Sequence, residues 1–180
     1  DPFGGAFCAF AQGDRISTGG QARTPISKLP NVEFTEHQFP ILYLYRKELT
    51  DSGGPGQYRG GLGAESCFIV HHVDSINQDA ICSGAAIPTS LGIAGGYPAA
   101  TNDYAFVRRS EIQARLAGGD IPADIGDVEG EPYLIGLRES GITQDRDDVY
   151  AVAWCGGGGF GDPFLRDPAA LDADLEDRSV

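Results

Sequence analysis

The sequence contains no methionine, one tryptophan and three histidines, and it is short of positive charge. Thirteen Lys and Arg stand against 26 Asp and Glu, so the formal net charge is −13. Binding to nucleic acid or to an anionic membrane surface needs clustered Lys and Arg. The charge balance therefore predicts no nucleic-acid partner and no membrane partner, and it favours proteins or small molecules instead.

Long apolar runs and paired cysteines are also absent. No run approaches the roughly 20 residues that span a bilayer, and no charged-then-apolar signal segment opens the chain. The cysteines form no C-x-x-C pair of the zinc or redox type: Cys8, Cys67, Cys82 and Cys155. These absences predict a soluble, cytoplasmic protein with free thiols. Because the sequence begins at Asp1 and lacks methionine, we also expect further residues upstream.

Glycine and proline are abundant, with 26 and 11 residues, which indicates many turns and few long helices. Short segments rich in β-branched and aromatic residues lie between the turns and are typical of strands. The predicted fold class is α+β, dominated by mixed or antiparallel sheets with glycine-rich loops and few short helices. We expect residues 1–180 to form a single domain or a fragment of a larger subunit.

Strands and one helix can be placed along the chain. The predicted strands are residues 31–49 (two strands broken at Pro40), 64–73, 78–84, 131–139 and 148–155. Of these, 64–73 and 78–84 should form a hairpin-like pair. A short helix is predicted over residues 109–116, with Ser110 as N-cap, Gln113 completing a capping box and Gly118-Gly119 ending it.

Conventional catalytic signatures are missing. The chain has no Walker A motif, no G-x-S-x-G elbow and no H-E-x-x-H helix, so it should not bind ATP through a P-loop. Gly156, Gly158 and Gly161 do match G-x-G-x-x-G, but Asp162-Pro163 follows at once and puts an anionic side chain and a helix breaker where a phosphate would lie. We interpret these glycines as sites where two backbones approach closely.

Arg59 is a candidate for chemistry because it lies in the dense glycine segment of residues 51–63. Backbone N–H groups exposed by glycine, together with a guanidinium, can grip a carboxylate or a phosphate. The structural alternative is that Arg59 pairs with Asp51 or with a backbone carbonyl. Asp51, His71 and His72 complete the set of catalytic candidates.

Histidines and carboxylates supply candidate metal ligands. His71 and His72 are neighbours on a predicted strand, so their side chains should point to opposite faces and not share one ion. His37 and His71, with a carboxylate brought near by the fold, are the candidate metal ligands. The other acidic residues lack EF-hand spacing, which favours a solvated acidic face: Asp145, Asp147, Asp148, Asp172, Asp174, Glu176 and Asp177.

Three segments, taken in order, resemble the hydantoinase B/oxoprolinase family: residues 30–40 (PNVEFTEHQFP), 51–63 (DSGGPGQYRGGLG) and 156–168 (GGGGFGDPFLRDP). The second segment is the most specific. The resemblance spans nearly the whole chain and points to the C-terminal part of such a subunit. It implies a multisubunit ATP-dependent enzyme, in which a partner of hydantoinase A type binds ATP and Mg and phosphorylates a carbonyl oxygen of a small-molecule substrate.

The resemblance leaves two reactions open. Hydantoinases and 5-oxoprolinases hydrolyse a phosphorylated lactam, whereas acetone and acetophenone carboxylases carboxylate an enol phosphate, and both must shield a reactive species from stray water. The segment FPILYLYRKEL (residues 39–49) favours the carboxylase type, so we expect a ketone carboxylase. A cyclic amidohydrolase and a non-catalytic interaction module of such a complex are the alternatives.

Family members are normally several times longer than this chain. Their metal-binding His and Asp residues lie in an N-terminal half that this sequence does not include, so the resemblance transfers no catalytic or metal residue to it. The implied divalent ion, Zn or Mn, would be bound in that missing part. The implied protein partners are the remaining N-terminal part of the subunit and the ATP-binding subunit.

Overall fold

The computed structural model describes residues 5–18, 30–81, 83–136 and 138–180. The strands are β1 (Ile41–Glu48), β2 (Ala64–Val70), β3 (Ser75–Ile81), β4 (Asp103–Arg108), β5 (Glu131–Tyr133), β6 (Arg138–Asp145) and β7 (Val149–Ala153). The helices are α1 (Val32–Gln38), α2 (Ile112–Ala117) and α3 (Pro168–Glu176), with single 3-10 turns at Ile125–Asp127 and Pro163–Leu165. All strand pairs are antiparallel, so the predicted β-dominated α+β class is confirmed. None of the helices in these ranges is long and apolar enough to cross a membrane.

The strands form two sheets, one of five strands in the order β1-β2-β7-β4-β5 and one of two strands, β3-β6. β2 and β7 lie inside the larger sheet because they are nearly continuous in apolar or small residues. Every residue of β2 (AESCFIV) is buried, and so are the first four of β7 (VYAVA). Such runs are typical of strands covered on both faces. The short strand β5 contains Pro132 and lies at an edge, where no ladder donor is required.

Side chains alternate between the two faces of the large sheet. One face meets the small sheet through a buried cluster: Phe68, Ala80, Phe106, Ile135, Ile142, Tyr150 and Val152. The other face packs against α2 and the loop that follows it through a second cluster: Cys67, Ile69, Ile112, Val128, Val149 and Ala151. Ile112 is fully buried, and burial of one such side chain stabilises the fold by roughly 1.5–3 kcal/mol.

The segment before Pro40 is a helix, so the strand predicted there is wrong. α1 begins after Asn31, whose side-chain oxygen accepts a hydrogen bond from the Phe34 N–H at 3.2 Å. Glu36 on the same helix accepts the Tyr43 N–H at 2.8 Å and ties α1 to the edge of β1. The cap and this tertiary contact outweigh the aromatic pattern. The strand predicted after Pro40 is confirmed as β1.

The hairpin predicted from residues 64–73 and 78–84 does not form. β2 pairs with β1 and β7, whereas β3 pairs with β6 in the small sheet. Burial explains the difference, because β2 is buried throughout while side chains along β3 alternate between exposed and covered. The two strands therefore belong to different layers. β4, which was not predicted, takes the place beside β7.

The helix predicted over residues 109–116 begins later, at Ile112. The N-cap is Glu111 and not the predicted Ser110, although the Ser110 hydroxyl accepts the Ile112 N–H at 3.3 Å from one residue earlier. Gln113 does not complete a capping box, because its amide donates to a carbonyl of the β6–β7 turn instead. The predicted end is confirmed, since Gly119 has a φ of +78°, which a non-glycine residue rarely adopts.

Candidate functional site

Two glycine loops meet at one end of the large sheet. The first glycine loop (residues 51–63) leads into β2 and the second (residues 156–161) follows β7, which is the antiparallel neighbour of β2. The Gly54 N–H donates to the Gly157 carbonyl oxygen at 2.8 Å, and the Gly157 N–H donates to the Gly61 carbonyl oxygen at 2.9 Å. Tyr58 and Phe160 exchange both backbone hydrogen bonds at 3.0 Å. The loops are thus joined backbone to backbone.

Glycine is required here because there is no room for a Cβ atom. A Cβ on Gly60 would lie 1.8 Å from the Gly157 carbonyl oxygen. A Cβ on Gly157 would lie 1.9 Å from the Phe7 oxygen, and one on Gly156 would lie 1.9 Å from the Ser52 oxygen. The close backbone approach predicted for the G-x-G-x-x-G segment is therefore confirmed.

Four charged side chains beside the loops form the Arg–Asp cluster: Asp14, Arg59, Arg166 and Asp174. Arg59 donates to Asp174 at 3.1 Å and to the Gly60 carbonyl oxygen at 3.0 Å. Arg166 bridges Asp174 and Asp14, with 2.7 Å to Asp14. Both Arg side chains are 11% exposed and that of Asp174 is 6% exposed. The cluster joins the N-terminal segment, the first glycine loop and α3.

These contacts correct two predictions. Arg59 does not pair with Asp51, although the predicted contact with a backbone carbonyl is confirmed at Gly60. Asp51 is exposed, has a φ of +59° and donates its N–H to the Ser179 carbonyl oxygen. Asp174 does not belong to a solvated acidic face, because two guanidiniums draw it into the interior. Asp14 and Arg166 were not predicted, since nothing local in the sequence marks a pair 152 residues apart.

The Arg–Asp cluster compensates its own charge. The hydrogen bond with Asp14 raises the pKa of Arg166 above its usual value against the effect of burial, and Asp174 adds to it. Burial alone would raise the pKa of Asp14, but hydrogen bonds from Arg166 and from the Arg59 N–H hold it below its usual value. Two positive and two negative groups are therefore paired, which leaves little positive charge to hold an anionic substrate.

A groove of about 590 Å³ opens between the first glycine loop, residues 98–100, residues 163–166 and α3. We call it the glycine-loop groove. Its lining brings together the candidates Asp51 and Arg59 with Arg166 and Asp174 of the Arg–Asp cluster, and the rest is mainly apolar or proline. The remaining lining residues are Gly53, Pro55, Gly56, Pro98, Ala99, Ala100, Pro163, Phe164, Pro168, Leu171 and Val180.

The histidine candidates lie elsewhere. His71 and His72 follow the end of β2, and His72 has a φ of +63°. Their rings are 3.8 Å apart, so the prediction of opposite faces is wrong, because these residues form a turn and not a strand. They share a cleft of about 280 Å³ with Asp74 and Arg146. His37 is exposed in the last turn of α1.

No metal centre is assembled by the part of the chain that the structure describes. Within residues 5–18, 30–81, 83–136 and 138–180, no group of three or more His, Cys, Asp or Glu side chains could hold a metal ion. His37 and His71 are accordingly not brought together with a carboxylate. The donor set of these residues therefore does not fit a catalytic divalent ion, which normally has at least three protein ligands.

A second titratable cluster lies on β1 and β2, which are neighbouring strands of the large sheet. The Tyr45 hydroxyl donates to the Glu65 carboxylate, beside the fully buried Cys67. Burial raises the pKa of the Cys67 thiol to about 12. Since the thiolate is the reactive form, this thiol is not a nucleophile near neutral pH.

Comparison with known proteins identifies the class. The family model for hydantoinase B/oxoprolinase matches residues 1–163, and the chain belongs to this family. The acetophenone carboxylase delta subunit of Aromatoleum aromaticum is 32% identical over 157 residues, which are 82% of this chain and 23% of that protein. The acetone carboxylase alpha subunit of Xanthobacter autotrophicus is 30% identical over 181 residues, covering 93% and 23%. The chain thus spans just under a quarter of the length of these relatives.

Solved structures agree with this assignment. A nucleotide-free acetone carboxylase structure superposes with a TM-score of 0.80 and 28% identity, covering 94% of this chain and 24% of that chain. The ATP-dependent caprolactamase from Pseudomonas jessenii has a TM-score of 0.69 and 21% identity, covering 99% and 28%. The second likeness shows a shared fold alone. Both relatives are named as carboxylase subunits, and the first structure is described as one of ATP-dependent acetone carboxylation.

Proposed function

We propose that this chain is the C-terminal region of a hydantoinase B-type subunit in an ATP-dependent ketone carboxylase of the acetone or acetophenone type. The observation that carries the proposal is the 32% and 30% identity, over most of the chain, to subunits of two such carboxylases. In this proposal a hydantoinase A-type partner binds ATP and Mg and phosphorylates the ketone as its enol. The complex then carboxylates the activated species.

In this proposal the chain has a structural role in the complex and does not itself bind the substrate's charged groups. The two arginines beside its glycine loops, Arg59 and Arg166, are already paired with carboxylates, and the glycine loops leave no space between their backbones. A rigid wall of this kind can exclude water from a reactive phosphate ester made elsewhere in the complex. The donor sets described above do not hold a divalent ion, so we place the Zn or Mn of the complex in the remaining N-terminal part of the subunit.

The complex would operate in the cytoplasm, because phosphorylation of the substrate consumes ATP from the cell's nucleotide pool. The alternative reaction is ATP-dependent hydrolysis of a cyclic amide, for which the likeness to the caprolactamase supplies the fold alone. The remaining alternative is a non-catalytic interaction module, and the inward-turned Arg–Asp cluster favours that role for this part of the subunit.

The native complex, purified with its partner subunits, decides between the reactions. ATP consumption should be measured with acetone, acetophenone, hydantoin and 5-oxoproline, each with and without labelled bicarbonate. The proposal predicts ATP consumption with a ketone, and transfer of the bicarbonate label into an acid-stable product only when both the ketone and ATP are present. Ring opening of a lactam without bicarbonate, and no turnover of either ketone, would replace it with the amidohydrolase.

A further inference from the structure

The glycine-loop groove is surrounded by apolar side chains that face water. Phe164 is 94% exposed and Leu171 is 45% exposed, and both line the groove. Tyr97 is 56% exposed and stands beside it, since its N–H donates to the carbonyl oxygen of Pro55 in the groove wall. These side chains come from separate segments of the chain. Contiguous exposed apolar surface with a polar rim is typical of a protein interface.

The rim of the groove is acidic. The segments that frame it carry exposed carboxylates, whereas the two arginines of the groove, Arg59 and Arg166, are largely buried and paired. Asp51 lines the groove, and the adjoining segments carry five further exposed carboxylates and one exposed cation, Arg178: Asp162, Asp167, Asp172, Glu176 and Asp177. The surface that a partner meets is therefore negative around an apolar centre, in keeping with the net charge of −13.

The groove is also held in a fixed shape. Pro55, Pro98, Pro163 and Pro168 restrict the backbone of its walls, and the first glycine loop, which lines it, is hydrogen-bonded to the second glycine loop. A preformed site loses little conformational entropy when it is occupied. This favours a specific docking site over an adaptable surface.

We propose that the glycine-loop groove docks a basic and apolar segment of a separate partner subunit. Aromatic or aliphatic side chains of that segment occupy the groove around Phe164, and flanking Lys or Arg side chains meet the acidic rim. The acidic rim favours a basic partner because their charges are complementary. We infer a separate polypeptide because long-range electrostatic attraction speeds the encounter of molecules that diffuse independently. The inference rests on one part of the proposed function, namely that the chain belongs to a multisubunit complex.

Photo-crosslinking in the native complex tests the occupant directly. A benzoylphenylalanine is placed at position 164, and a matched one at Leu134, which is 92% exposed and does not line the groove. Position 164 should crosslink to a partner subunit, in a peptide whose apolar residues are flanked by Lys or Arg. A crosslink to a second copy of this chain, to another part of the same polypeptide or to an acidic peptide overturns the proposal. Equal crosslinking from both positions overturns it as well.

Binding kinetics between the purified subunits give an independent measurement. Phe164→Ala should weaken the affinity on the order of tenfold, as expected for a central anchor, and Leu134→Ala should leave it unchanged. Asp172→Lys should slow association and reduce its dependence on salt, whereas Glu129→Lys, outside the groove, should not. Unchanged affinity in Phe164→Ala would overturn the proposal. Neither measurement uses turnover, so failure here is separate from failure of the ketone assay.

Discussion

Gly60 is the position at which the close packing of the two glycine loops is most easily broken. An alanine there would place its Cβ 1.8 Å from the carbonyl oxygen and 2.4 Å from the carbonyl carbon of Gly157. Both atoms belong to the backbone, so no side-chain rotation relieves the contact. The second glycine loop would have to move away from the first.

The cost of that movement follows from the hydrogen bonds it breaks. The Gly157 carbonyl oxygen accepts the Gly54 N–H at 2.8 Å, and the Gly157 N–H donates to the Gly61 carbonyl oxygen at 2.9 Å. A buried polar group left without a partner costs about 1–3 kcal/mol. Loss of both bonds should therefore lower local stability on the order of 3 kcal/mol or more, a large part of the roughly 5–15 kcal/mol that stabilises a whole domain.

Hydrogen exchange of backbone amides in the assembled complex measures this loss. A change of about 3 kcal/mol should speed exchange of the loop amides by about 100-fold, since each 1.4 kcal/mol is about a factor of ten. Gly136→Ala is the matched control, because its Cβ would meet nothing closer than 3.6 Å. Exchange in Gly60→Ala within about threefold of the wild-type rate would refute the steric argument, and so would an equal change in the control.

Three further predictions concern charged and sulfur-containing side chains. In Asp174→Asn, two nearly buried guanidiniums lose the carboxylate that they share, and the fold should be destabilised by about 3–5 kcal/mol. The control Asp124→Asn removes one partner of an exposed ion pair and should cost at most about 1 kcal/mol. Unfolding in urea compares the two variants. Arg166 lowers the pKa of Asp14 in the folded protein in spite of burial. The ionised Asp14 therefore stabilises the fold above its ordinary pKa of 3.8, and this stabilisation is lost as the pH falls through the lower pKa of the folded state. The melting temperature of the wild type should drop as the pH falls below 3.8, and that of Asp14→Asn should drop less. Cys67, with a pKa of about 12, should resist iodoacetamide at pH 8 until the protein unfolds, and rapid labelling in the native state would contradict its burial.

Features that depend on local chemistry were predictable from the sequence. The dense glycine segments could be assigned to close backbone contact because no other residue type tolerates it. The pair Gly118-Gly119 marked the end of α2, as glycines at helix C-termini do. The strand predicted over residues 148–155 corresponds to β7, and the β-dominated class with mixed or antiparallel sheets followed from such segments and the many turns between them.

Features that depend on tertiary contacts were not predictable. Asn31 caps a helix where the aromatic pattern indicated a strand, and the contact of Glu36 with Tyr43 stabilises that helix only after β1 is in place. β2 and β3 are close in sequence, but their different burial sends them to different sheets. The partner of Arg59 lies 115 residues away on α3, and no spacing rule relates the two.

Steady-state kinetics of complexes carrying Arg59→Lys or Arg166→Lys test most directly whether these arginines only stabilise the structure or also act on the substrate. Lysine keeps the charge but cannot reproduce the paired contacts of a guanidinium. If the Arg–Asp cluster is structural, less complex should assemble, while kcat and KM of the assembled fraction stay within about twofold of wild type. Normal assembly with kcat/KM lowered by about 100-fold or more would show that these arginines act on the substrate, and would contradict the account.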